Sequence, residues 1–187
     1  MPSGATGAGT STTSSTAPAV QGSAGGSTSG RYLLALGDSL AAGYEPIYGT
    51  SAPPVDPADG VPDEGYPGSY AADLAQRYRL RLVDLACPGE TTASVDGTPA
   101  QQACANFYKS WLGATNQLQA AFDFLGAHRG HVEIVTIDLG ANDLDGCTRN
   151  GSVEVSCLLE GEADVVNQLP GVLSRLRIAL ERDDPGT

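Results

Sequence analysis

The feature that most constrains the fold is the stretch Leu33-Leu34-Ala35-Leu36-Gly37-Asp38-Ser39-Leu40-Ala41-Ala42-Gly43. An apolar segment of strand length ends at Gly37, Ser39 follows two residues later, and the small residues after it can start a helix. In an α/β domain such a turn places a serine above the carboxyl end of a strand, beside a helix N-terminus that favours negative charge. Two interpretations follow: Ser39 caps the next helix, or it is a nucleophile.

Residues 1–30 consist mainly of Ser, Thr, Gly and Ala, with Val20 as the one aliphatic side chain larger than alanine apart from Met1. Such a segment cannot bury enough apolar surface to offset its ordering, so we predict a disordered tail or linker. Residues 31–187 are then assigned to one domain, which is long enough for a core of its own. The sequence shows no intact signal peptide and no apolar run of membrane-spanning length.

The charge balance excludes one class of partner. The chain has 10 Lys and Arg against 22 Asp and Glu, a net charge of −12, which repels the phosphate backbone of nucleic acids. The acidic residues of the loop at 56–64 are interpreted as a solvated surface. The two histidines offer little for zinc, so neither a metal nor a cofactor is expected.

Four cysteines are present: Cys87, Cys104, Cys147 and Cys157. Their even number and predicted loop positions favour two disulfides, most economically Cys87–Cys104 and Cys147–Cys157. The other pairings and four free thiols remain alternatives at this point. Disulfides form in oxidising compartments, so we expect a secreted protein.

Strands and helices alternate along the chain. Hydrophobic patterns predict strands at 31–36, 80–85 and 132–139, and helices at 69–78, 115–127 and 162–181, the last kinked at Pro170. This order predicts an α/β fold with a parallel sheet. Because the carboxyl ends of parallel strands share one edge, Ser39, Gly89 and Asn142 should converge there, each just past a strand.

These three positions suit ester hydrolysis. Ser39 can attack a carbonyl carbon, and its own backbone N–H can stabilise the oxyanion that forms. The N–H of Gly89 and the side-chain amide of Asn142 are natural further donors. The carboxylate of Asp38 is expected to hold the turn rather than to take part in the chemistry.

The blocks Gly37-Asp38-Ser39-Leu40, Gly89 and Gly140-Ala141-Asn142-Asp143, in this order, resemble those of the SGNH, or GDSL, hydrolases. The resemblance implies a flavodoxin-like α/β/α fold and a small ester substrate, a lipid or an acylated sugar. It implies Ser39 as nucleophile and Ser39, Gly89 and Asn142 as the oxyanion hole, supported by Gly37, Asp38, Gly140 and Asp143. The predicted disulfides are similar to those of secreted actinobacterial members.

The chain departs from this family in lacking the DxxH block that supplies the general base. Its two histidines, His128 and His131, flank the start of the third strand, roughly 20–25 Å from the Ser39 edge. This distance is too large for proton transfer. The third strand also resembles a central strand with nothing after it to cover its outer side. We therefore expect a domain incomplete at its C-terminus, inactive by itself, with an exposed edge available for pairing.

Three functions remain open at this stage. The first is a serine esterase acting by acyl transfer through Ser39. The second is a non-catalytic module that retains the cleft to bind an acyl or glycan ligand. The third, a flavin- or nucleotide-binding domain, is disfavoured because the first turn lacks both GxGxxG and GxxxxGK.

Overall fold

The computed structural model of the chain describes residues 30–43, 69–97, 108 and 113–187. The predicted tail up to residue 29, the acidic loop at 56–64 and residues 98–107 and 109–112 lie outside these residues. The strands and helices are β1 Tyr32–Gly37, α1 Tyr70–Tyr78, β2 Arg81–Asp84, α2 Gln117–Ala127, β3 Val132–Asp138, β4 Thr148–Arg149, β5 Ser152–Val153 and α3 Val155–Asp183.

The first three strands form a parallel sheet in the order β2-β1-β3. In this register Ala35 of β1 lies opposite Asp84 of β2 and Thr136 of β3. Every residue of β1 is buried, as expected for a continuously apolar strand covered on both faces. The predicted α/β class and parallel sheet are confirmed.

Helices cover both faces of this sheet. On one face Leu33 and Ala35 pack with Ala71 and Ala75 of α1. On the other face Leu34, Leu36 and Leu85 pack with α2 and the C-terminal part of α3. The result is the predicted α/β/α arrangement of three layers, in which all three carboxyl ends of the strands point the same way.

The position of β3 agrees with the exposed edge expected from the sequence. Its apolar run resembles a central strand, and within the described residues β3 pairs only with β1 and forms the edge of the sheet. Val132 alone is buried, and Ile134 to Asp138 are half-buried. The start of this edge is covered by the last described residues: the Val132 N–H donates to Asp184 Oδ1 at 2.9 Å, and Thr187 Oγ1 donates to the Val132 carbonyl at 2.6 Å.

Helix α3 begins at Val155, earlier than predicted, and continues through Pro170 for 29 residues. Its predicted apolar stripe is buried mainly towards the C-terminus. Leu176 is buried, whereas Val166 and Leu173 are 64% and 42% exposed. A kink at Pro170 stays a prediction. None of the helices in the described part of the chain combines the length and the apolar character needed to cross a membrane.

A short hairpin of β4 and β5 precedes α3 and was not predicted. Thr148 pairs with Val153, and the turn residues Asn150 and Gly151 both have positive φ, +52° and +76°. This is the type I′ conformation that Asn-Gly favours. The Cys147–Cys157 disulfide encloses the hairpin and confirms that predicted pair. Cys87 is also disulfide-bonded, and its predicted partner Cys104 lies outside the described residues.

Gly161 of α3 provides a test of how closely this helix packs on the turn after β3. A Cβ at Gly161 would lie 2.3 Å from the Asp143 carbonyl oxygen and 2.8 Å from Leu144 Cδ2. We expect Gly161→Ala to lower the free energy of unfolding by about 1–3 kcal/mol, the usual cost of overpacking. Gly171→Ala on the same helix is the control, since a Cβ there meets no atom within 4 Å.

The control substitution should leave stability unchanged or raise it by up to about 1 kcal/mol, the helix-propensity gain of alanine over glycine. Urea denaturation of both variants measures the difference. Equal effects of the same sign would show that α3 does not press on the 142–144 turn.

Candidate active site

The turn after β1 carries Ser39. Gly37 ends the strand with φ +125°, and the fully buried Asp38 accepts the Leu40 N–H on Oδ1 at 2.9 Å. Asp38 therefore stabilises the turn, as its position in the sequence predicts. Within the described residues no helix begins at Ser39, and its side chain accepts no backbone N–H. The helix-cap interpretation is not supported, and the partly exposed hydroxyl stays available.

The loop after β2 is held beside this turn by its backbone. The Cys87 N–H donates to the Gly37 carbonyl at 3.0 Å, and Gly89 follows with φ +86°. In the described part of the chain, neither the Ser39 N–H nor the Gly89 N–H has a hydrogen-bond partner. Both groups can therefore donate to a ligand.

Asn142 connects these two segments from the turn after β3. Its Nδ2 donates to the Glu90 carbonyl at 2.8 Å and to Asp38 Oδ2 at 3.3 Å. One partner is next to Ser39 in sequence and the other is next to Gly89. Because the amide has only two hydrogens, Asn142 must give up one contact, the longer one to Asp38, before it can donate to an oxyanion.

Asp143 adds a second connection between the turn after β3 and the loop after β2. Its carboxylate accepts the Thr92 N–H at 3.0 Å and the Thr92 hydroxyl at 2.5 Å. Gly140, two residues after β3, has φ +119° and allows the chain to turn towards α3, where Val165 lies 3.6 Å from the position of a Cβ. The three predicted blocks thus meet at one edge of the sheet.

Comparison with known proteins agrees with this convergence. The sequence model of the GDSL-like Lipase/Acylhydrolase family matches residues 35–179, which include all three blocks. The chain belongs to this GDSL-like family. Searches of curated proteins and of solved structures each found no match. Membership of this family identifies the chain as a hydrolase of the acylhydrolase type.

The two histidines of this GDSL-like domain lie at the opposite end of the sheet. The His128 ring stacks on Phe124 at 4.1 Å and meets Tyr32 edge-on at 4.9 Å. The His131 carbonyl accepts the N–H of Tyr32, the first residue of β1. Ser39 lies two residues beyond the other end of β1, roughly 20 Å from the two histidines at about 3.3 Å per residue. Neither histidine can take its proton directly.

Several polar residues near the carboxyl ends of the strands are buried, and no motif in the sequence identifies them. They are Asp84, Glu90, Tyr108 and Gln117. Burial raises the pKa of Glu90 and of Asp84 to about 7, and that of Tyr108 well above its usual value. Of these residues only Asp84 could have been noticed in the sequence, because it interrupts an apolar run. Burial also raises the pKa of Asp38.

Asp84 makes the stability of this domain depend on pH. Its Oδ1 accepts the Ala86 N–H at 2.9 Å, while the buried Oδ2 has no hydrogen-bond partner. The folded-state pKa of about 7 exceeds the ordinary 3.8, so the folded state binds the proton more tightly than the unfolded state. The stability that this provides is present below about pH 4 and is lost as the pH rises through 7.

Asp84→Asn keeps an oxygen for the Ala86 N–H and removes the titration. We expect it to flatten the fall in the free energy of unfolding between about pH 5 and 8, by about 1.4 kcal/mol for each pKa unit removed. Asp123→Asn is the control, because Asp123 is exposed and binds only Gln119 in the described structure. Urea denaturation across this range tests it, and an unchanged slope in the Asp84 variant would contradict the assignment.

Proposed function

We propose that this domain provides the nucleophile and the oxyanion-binding groups of a serine ester hydrolase. The observation that carries the proposal is the Asn142 amide, which bridges the residue before Ser39 and the residue after Gly89. Three short segments from distant parts of the chain thus meet beside the turn that carries Ser39. The acylhydrolase family membership supports the same reaction.

In the proposed reaction Ser39 Oγ attacks the ester carbonyl carbon and loses its proton to a base. The backbone N–H groups of Ser39 and Gly89, with one N–H of Asn142, donate to the resulting oxyanion. Loss of one such donor typically costs about 2.7–4 kcal/mol of transition-state stabilisation. The alcohol then leaves, and water hydrolyses the acyl ester on Ser39.

Neither histidine supplies the general base in this proposal, since both lie at the far end of the sheet, and we place the base outside the described residues. The open edge of β3 is the place where further structure can be added. Beside it, Val135 and Ile137 form a groove with Leu173 and Leu180 of α3. We propose that a further strand, from this polypeptide or from another, pairs with this edge and brings the base to Ser39.

The proposed substrate is a small ester, a lipid or an acylated sugar, and the net charge of −12 argues against nucleic acid. Secretion is proposed on the basis of the cysteines. None of the cysteines in the described structure is free, and disulfides persist in oxidising compartments.

Imidazole provides a direct test, because a small diffusible base can accept the Ser39 proton that the two distant histidines cannot reach. The chain alone should hydrolyse p-nitrophenyl acetate and butyrate slowly, since an unactivated serine is a poor nucleophile. Added imidazole should give a protein-dependent rate above the sum of the separate rates of imidazole and protein. The measurement is p-nitrophenolate release with and without protein at each imidazole concentration.

The absence of any excess rate would contradict the hydrolase assignment. If the same chain then bound a short-chain lipid or a saccharide saturably, the non-catalytic module would be favoured instead.

A further inference from the structure

Gln117 holds the backbone immediately before the nucleophile. It is the first residue of α2, and its side chain is fully buried. Its Oε1 accepts the Gly37 N–H at 2.7 Å, and its Nε2 donates to the Gly37 carbonyl at 2.9 Å, across 80 positions of sequence. One side chain thus satisfies both polar groups of the residue where β1 ends. Together with the Cys87 N–H on the same carbonyl and the Asp38 N–H on the Asp138 carbonyl, this contact fixes the backbone before Ser39.

Glu90 holds the other side of the site. It follows Gly89 and is only 2% exposed. Its carboxyl accepts the Ser94 hydroxyl at 2.5 Å and lies 3.4 Å from Gln117 Nε2. Its backbone carbonyl accepts the Asn142 amide at 2.8 Å. The Glu90 side chain therefore contacts Gln117, which holds Gly37. The Glu90 backbone contacts Asn142, a proposed oxyanion donor.

We infer that Glu90 and Gln117 are a buried pair of positioning residues that hold the Ser39 turn and the Asn142 amide in register with each other. The inference rests on the proposed hydrolase function. Neither side chain contacts the substrate in this account. Each acts through the backbone or the amide group that it fixes.

The two hydrogens of the Gln117 amide make its contacts depend on the charge of Glu90. Nε2 has two hydrogens and three oxygen neighbours, namely the Gly37 carbonyl at 2.9 Å, the Tyr108 hydroxyl at 3.1 Å and the Glu90 carboxyl at 3.4 Å. A neutral Glu90 leaves both hydrogens to the two nearer oxygens. An ionised Glu90 competes for one of them, so the hold on Gly37 weakens.

The groups that face Glu90 come from several elements. Asp38, in the turn after β1, adds to the rise that burial causes in the pKa of Glu90, whereas the hydroxyls of Ser94 and Tyr108 oppose it. Asp143, in the turn after β3, is bound to Thr92 two residues away. With a pKa of about 7, Glu90 changes charge near neutral pH.

The first measurement follows the pair without relying on catalysis. In the ¹⁵N-labelled chain, the Gly37 backbone amide and the Asn142 side-chain amide should titrate together with a midpoint near 7. Glu90→Gln should abolish that titration, and Asp84→Asn, which removes the other buried carboxyl of similar pKa, should leave it unchanged. A titration that persists in Glu90→Gln, or none in the wild type, overturns the inference.

The second measurement uses imidazole-supported turnover of p-nitrophenyl acetate. Glu90→Gln mimics the neutral carboxyl, so the ratio of its rate to the wild-type rate should be near one at about pH 6 and should increase by about pH 8. Gln117→Ala should lower kcat roughly ten- to hundredfold with little change in KM, the usual cost of misplaced reacting groups. Gln119→Ala on the same helix, which loses only the exposed contact with Asp123, should match the wild type.

The two measurements separate the inference from the proposed function. If turnover depends on Ser39 but the rate ratio for Glu90→Gln does not change with pH, the proposed hydrolase function stands and the positioning role of Glu90 and Gln117 is wrong. If the amides titrate with Glu90 but no protein-dependent turnover is found, the pairing stands as a structural contact and the proposed function fails.

Discussion

Replacing Ser39 with alanine is expected to abolish the imidazole-dependent hydrolysis of p-nitrophenyl acetate by this chain. Ser39 is the serine of the turn after β1, whereas Ser94 in the loop after β2 is buried and bonded to Glu90, so the variant loses the accessible serine at the edge where the three strands end. The backbone N–H of residue 39 remains, and only the attacking oxygen is lost. The rate should fall to the sum of the separate rates of imidazole and buffer.

Stability should be almost unaffected, because within the described residues the Ser39 side chain makes no hydrogen bond. Ser174→Ala is the control, since Ser174 is an exposed serine on α3. It should keep the full rate. An imidazole-dependent rate that survives in the Ser39 variant would show that the turnover arises elsewhere on the protein.

Gly37→Ala is expected to have the largest effect on folding. A Cβ at Gly37 would lie 2.1 Å from the Asp138 carbonyl oxygen and 2.7 Å from the Asp138 nitrogen, with φ at +125°. These are backbone atoms of the neighbouring strand β3, which cannot move aside as a side chain can. Collision and backbone strain together should lower the free energy of unfolding by about 4 kcal/mol or more, enough to unfold a domain of ordinary stability.

Gly186→Ala separates these two causes. Gly186 has a similar φ of +116°, but a Cβ there meets no atom within 4 Å. The free energy of unfolding of this variant should fall only by the cost of the unfavourable backbone conformation, about 1–3 kcal/mol. Circular dichroism during urea denaturation measures both variants. Equal losses would show that β1 and β3 are less closely paired at Gly37 than the structure indicates.

The sequence was sufficient to predict the layers and the edge where the blocks meet. Three apolar runs of strand length, each ending near a glycine, alternate with amphipathic helices, and that order leaves few topologies. The exposed edge at β3 was expected as well, whereas the partial burial of Ile134 to Asp138 was not, since an apolar run does not show how many neighbours a strand has. The hairpin at 148–153 was predictable, because Asn150-Gly151 is a strong type I′ signal.

The surroundings of the nucleophile were less predictable. The contact of Gln117 with Gly37 spans 80 residues, and a glutamine at the start of a helix gives no sign of burial or of its partner. Glu90 lies in a loop where an acidic residue would ordinarily be exposed. Its carboxyl is buried against Gln117 of α2 and Tyr108, and this packing is a tertiary effect.

The most direct test of the proposed nucleophile is covalent labelling with a fluorophosphonate, followed by intact-mass and peptide analysis. The account predicts one adduct per chain on the peptide that contains Ser39, formed faster with imidazole present and absent from Ser39→Ala. Labelling on a different residue, or equal labelling of the wild type and the Ser39 variant, would contradict it.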